Sequence, residues 1–147
     1  MTNTTKRFPH LPVDTLNPEQ KAVYDMLVNG PRKGIRGPFG ALLRNPKLAE
    51  RVSLLGDSVR FENSLPDILR EMAILMTARF FKAKYEYHAH GTLLKGLGFT
   101  PEKIHAIGLK QKPLDLTSDE TIVFDFVTEL LNQGDISDAS YDAAMKR

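Results

Sequence analysis

Pro66 to Phe81, PDILREMAILMTARFF, is the stretch that decides the fold. Its apolar residues lie almost all the way round a helical projection, as expected of a helix buried at the centre of a bundle. No segment of the chain alternates apolar and polar residues convincingly in the manner of a strand. Working upstream, Asn17-Pro18-Glu19-Gln20 supplies an N-cap, a proline at the first helical position and a glutamine in the capping-box place. The helix it opens carries Ala22, Val23, Met26 and Leu27 on its apolar face and stops at Gly30. The loop GPRKGIRGPFG follows, with four glycines and two prolines, rich enough to bend tightly. Pro38 opens a short helix through Leu43, and Pro46 opens another with Leu48, Val52, Leu55 and Val59 at helical spacing.

Downstream, a helix runs to about Leu97 and ends at Gly98, and Thr100-Pro101-Glu102 caps a short one closing at Gly108. Ser118-Asp119-Glu120 starts an amphipathic helix bearing Ile122, Val123, Phe126, Val127, Leu130 and Leu131, followed by Gly134, and Ser137 caps the last helix. Residues 1–16, with Pro9 and Pro12, read as an extended N-terminal arm, and residues 17–147 as a single helical domain. The fold class is all-α.

Composition narrows the function. The chain of 147 residues suits one core, and 41% apolar with 26% charged residues is a soluble globular composition. No apolar stretch is long enough to span a bilayer, and the N-terminus lacks the apolar region of a signal peptide, so a cytoplasmic protein without a membrane partner is expected. Cysteine is absent, which removes disulfides, thiolate metal sites, cysteine nucleophiles and dithiol redox cycles. A net charge of +2 gives no reason to expect nucleic acid. Arg32, Lys33 and Arg36 cluster in the glycine loop, where a solvated loop is favoured over an anion site.

The chemistry concentrates in KYEYHAHG, Lys84 to Gly91. If residues 66–97 formed one helix, Arg79, Glu86 and His90 would lie at about 80°, 60° and 100° from Glu71, sharing one sector. Glu86 and His90 are an i, i+4 pair and can meet directly. His88 points about 160° away from His90, so the two cannot jointly grip a metal from a helix, and no metal is expected. An ordinary surface ion pair, worth a few tenths of a kcal/mol, is the competing reading of Glu86 and His90. Glu71 weighs the other way: inside the apolar run REMAIL it is costly to bury without a partner or a purpose.

At these residues the chain resembles a family. LREMAILMTARFFKAKYEYHAHGTLLKGLGFTPEKIHAI is similar to the core of the carboxymuconolactone decarboxylase and AhpD-like alkylhydroperoxidase family. The redox members' pattern E-x11-C-x2-C-x3-H falls on Glu71, Ala83, Glu86 and His90, matching at glutamate and histidine and substituted at both cysteines. YEYHAH resembles the YEWxxH of the decarboxylase-type branch, with Tyr87 in the place of tryptophan. Upstream, RGPFGALLRNPKLAERVSLLGDSVRFENSLP is similar to the family's lead-in, so the resemblance covers roughly residues 36–131.

The resemblance implies an AhpD-like helical bundle in which residues 66–97 form two helices, breaking near Lys82 to Lys84. Glu86 then falls in a first helical turn, and Glu71 meets Glu86 and His90 through helix packing. It further implies a cofactor-independent lyase acting on a small carboxylated substrate. His90 is the expected general acid/base, with Glu86 orienting or tuning it and Glu71 as a second proton carrier or orienter. Arg79 or Arg36 would grip a substrate carboxylate, and Tyr87 joins that substrate-binding set. The alternative is a non-catalytic oligomeric protein that retained the fold. A thiol peroxidase is excluded by the lack of cysteine. A homo-oligomer, whether dimer, trimer or hexamer, is expected. The authentic decarboxylases carry an N-terminal segment not seen here. Relatives also commonly continue past SDASYDAAMKR with one more apolar helix, so either this branch is short or that helix is missing.

Overall fold

The computed structural model describes residues 8–146, and among them only helices and turns occur, with no strand. A 3-10 turn at Val13–Thr15 precedes eight α-helices: α1 Pro18–Asn29, α2 Phe39–Leu42, α3 Pro46–Phe61, α4 Asp67–Phe80, α5 Lys84–Gly96, α6 Pro101–Gly108, α7 Ser118–Gln133 and α8 Asp138–Met145. Of the expected N-terminal arm, residues 1–7 lie outside the described residues, and Val13–Thr15 forms the turn, with Thr15 Oγ1 donating to Pro12 O at 2.8 Å. The chain divides into two compact units between Ser64 and Leu65.

In the first unit, α1 opens on a complete capping box between Asn17 and Gln20 and buries Val23 and Leu27 with Phe39, Leu43 and Ala49. The helix expected from Pro46 is present as α3, but the spaced apolar residues Leu48, Val52, Leu55 and Val59 are all exposed, and the buried face carries Ala49 and Ser53. A polar network selects that face. Arg32 Nε lies 2.9 Å from Asp57 Oδ1 and donates to Ser53 Oγ at 3.2 Å, while its guanidinium stacks 4.7 Å from the centre of the Phe39 ring. Arg32 is therefore a half-buried strut, whereas Lys33 and Arg36 stay in solvent.

In the second unit, α4 is central, packing on α5, α6 and α7. Met72, Leu75 and Met76 from α4 meet Leu94, Phe99, Ile107 and Phe124 in one core. The break after α4 is a Schellman turn with lysine in the left-handed position: Lys82 has φ 57°, its N–H donates to Arg79 O, and the Ala83 N–H donates to Ala78 O at 2.8 Å. Chain direction reverses there, so α5 returns along α4.

The N-cap of α7 is Thr117, one residue before the expected start, and it forms a capping box with Glu120, which is also held by Lys103 Nζ at 2.8 Å. The same helix ends at Gly134 with φ 77°. Gly134→Ala should cost about 1–2 kcal/mol, because a Cβ is disfavoured in the left-handed region, and urea denaturation would read it.

Candidate functional site

The reversal between α4 and α5 sets Glu71, one turn into α4, against His90, midway along α5. His90 Nδ1 lies 2.5 Å from Glu71 Oε2, and on the other side of the ring His90 Nε2 lies 3.3 Å from Glu86 Oε2. The three side chains form a line from dry to wet. Glu71 is 3% and His90 6% exposed, whereas the Glu86 side chain is 40% exposed. Glu86 occupies the first turn of α5, where the helix dipole favours a carboxylate. Arg70 Nε stands 3.9 Å from Glu71 Oε1, and its Nη2 bonds Asp67 Oδ1 at 2.7 Å.

The proton count of this line decides what it can do. An imidazole donates to two ionised carboxylates only when both of its nitrogens carry hydrogen. A neutral ring donates to one carboxylate and must face a protonated partner on the other side. The cluster therefore holds at least one exchangeable proton whenever both contacts are hydrogen bonds, and Glu86 is its member closest to solvent. Glu86 also borders an apolar groove of about 330 Å3, walled by Ala73, Ile74, Thr77, Ala78 and Phe81. These positions on and just after α4 were hidden in the sequence, because the segment reads as apolar all round. The small side chains Ala73 and Ala78 are the one signal of a groove there.

The other expected residues stand elsewhere. His88 is exposed and takes no part in the line. Tyr87 donates its hydroxyl to Ile104 O at 2.7 Å, which ties α5 to α6. Arg79 donates Nε–H to Gly108 O at 2.6 Å, and eight residues of helix place it about 12 Å along α4 from Glu71. Arg36 is exposed in the loop of the first unit, while the triad is built wholly from the second. Among the described residues, no group of three or more His, Asp or Glu side chains is disposed to hold a metal ion. No helix among them is long and apolar enough to cross a membrane.

Burial raises the Tyr87 phenol above its ordinary value, partly opposed by the Arg79 charge. As pH climbs through about 10 the unfolded chain ionises first and binds fewer protons than the folded one, so stability should fall there. Tyr87→Phe should remove its share of that fall and cost about 1 kcal/mol at neutral pH, for the lost bond to Ile104 O. Urea midpoints of both proteins, compared at neutral and alkaline pH, measure this.

Comparison with protein-family models, with curated proteins and with solved structures returns no match for the chain. What fold and site define is thus an all-α protein with a buried Glu71–His90 pair that Glu86 connects to solvent.

Proposed function

We propose that the chain is a cofactor-independent, lyase-type enzyme of the carboxymuconolactone decarboxylase and AhpD-like class, acting on a small carboxylated substrate by general acid/base chemistry. One observation carries the reading: a carboxylate and an imidazole are buried in contact, and a second carboxylate, on a residue bordering an apolar groove, connects them to solvent. Such a pair is costly to desolvate, and apolar side chains of equal volume would stabilise the fold as well or better. The substrate body lies in the groove beside Glu86. The bond to the carboxylate carbon breaks, CO2 leaves, and the electron pair stays on the neighbouring carbon as an enolate. His90, as the general acid, passes a proton to Glu86, which delivers it to that carbon, and the pair regains one from solvent at the exposed side of Glu86. Glu71 holds the imidazole ring in orientation from the buried side.

Carboxylated lactones and β-keto acids, screened for CO2 release, test the proposal. Release should exceed the buffer rate with at least one of them, and His90→Ala should lower it by about 100- to 10,000-fold at a temperature where that variant is folded. Unchanged turnover in His90→Ala would remove His90 from the chemistry, and release at the buffer rate with every candidate would favour the second reading, a non-catalytic oligomeric protein of this class. That reading draws on the exposed apolar stripe Leu48, Val52, Leu55 and Val59 on α3. Under either reading the chain is expected to form at least a dimer burying over about 1,000 Å2 in total. Light scattering at micromolar concentration checks this, and a monomer mass would contradict it.

A further inference from the structure

We propose that a second cavity of the same unit, beside the last turn of α4 and apart from the triad, binds a compact one-ring carboxylate. The cavity holds about 160 Å3, close to the roughly 150 Å3 that accommodates a benzene ring. Its apolar wall comes from Met76, Ile107, Phe124 and Leu131, and its remaining wall includes Arg79, Lys110 and Lys112 but no carboxylate. Lys112 is matched by Asp125, whose carboxylate oxygens lie 2.7 and 2.8 Å from its Nζ. The other two cations are not matched.

Arg79 uses Nε–H on Gly108 O at 2.6 Å, which orients the guanidinium, while its Nη groups make no hydrogen bond or ion pair among the described residues. Lys110 sits at φ 59° in the turn that closes α6, exposed, and its amine likewise meets no partner among the described residues. A structural role for Arg79 accounts for Nε alone. An oriented guanidinium with free Nη groups grips a carboxylate through paired bonds, and the apolar wall takes a ring. A long acyl chain exceeds the volume, and a bare phosphate leaves the apolar wall unfilled. None of the residues lining this cavity belongs to the triad.

Calorimetric titration of the full chain with benzoate, and with benzamide as its neutral counterpart, tests the proposal. Benzoate should saturate one site with a Kd on the order of 1 mM, as a ligand of this size allows. Benzamide should bind at least about tenfold more weakly, having lost the charge-assisted pairing. Lys110→Ala, which removes an exposed and unbonded side chain, should weaken benzoate about threefold. Arg79→Lys, which keeps the charge and loses the fork, should weaken it about tenfold. Glu86→Gln should leave benzoate binding unchanged. The proposal is overturned by the absence of saturable binding, by equal affinity for benzamide, by an unaltered Kd in both cation variants, or by loss of binding in Glu86→Gln, which would place the ligand at the triad.

Discussion

His90→Ala is expected to destabilise the fold by about 3–5 kcal/mol, near the largest effect of any single substitution in the second unit. The cost arises at Glu71. That carboxylate is 3% exposed, and the substitution strips its Oε2 of the imidazole 2.5 Å away. Neighbouring Met72, Leu75 and Leu94 are fully buried and apolar, and Arg70 Nε stands 3.9 Å from the other oxygen, Oε1. Removing both partners should cost far less: Glu71→Leu/His90→Leu should lie within about 1 kcal/mol of the parent or above it, because neither desolvated group remains. Urea denaturation of the two variants decides this. A single variant no worse than the double would mean that other groups, Arg70 among them, already satisfy Glu71, and that the contact with His90 is not what offsets its burial.

The second large effect concerns rate. Glu86→Gln keeps the shape of the side chain and removes its capacity to carry a proton. The exposed end of the line contributes little to stability, as partly solvated pairs usually contribute about 0–1 kcal/mol. Turnover of a substrate found by the CO2 screen should nonetheless fall by about 100- to 10,000-fold, mostly in kcat, since the proton moves in the transition state. Glu71→Gln should also lower kcat, through loss of ring orientation, with substrate affinity little changed.

The all-α class and nearly every helix boundary were legible in local signals: Asn17 with Gln20, Pro46, Thr100, Gly134 and Ser137 stand where caps and stops are observed. The break after α4 was not legible in Phe80-Phe81-Lys82-Ala83, because its left-handed position is filled by Lys82 where glycine is the usual marker. Only the resemblance to a known family pointed to it. That break changes the reason Glu71 meets His90. Phase along one continuous helix would have put Arg79 in the same sector, but the meeting depends on α5 folding back, and Arg79 is left about 12 Å along α4. The contact between Glu86 and His90 needed only their i, i+4 spacing, which the sequence displays. For α3, hydrophobic periodicity marked the helix but not its buried face. The stripe of Leu48, Val52, Leu55 and Val59 is regular, yet Arg32, Ser53 and Asp57 join across the opposite choice, and their partnership spans distant segments of chain.

The most direct test of the central claim compares Glu86→Gln with His88→Ala in the same CO2-release assay, both checked for native stability. The two residues lie within one turn of α5, yet only Glu86 belongs to the line that reaches Glu71. An acid/base role for the triad predicts that kcat collapses by at least about 100-fold in Glu86→Gln and stays at the parental value in His88→Ala. Equal turnover in both folded variants and the parent would contradict it.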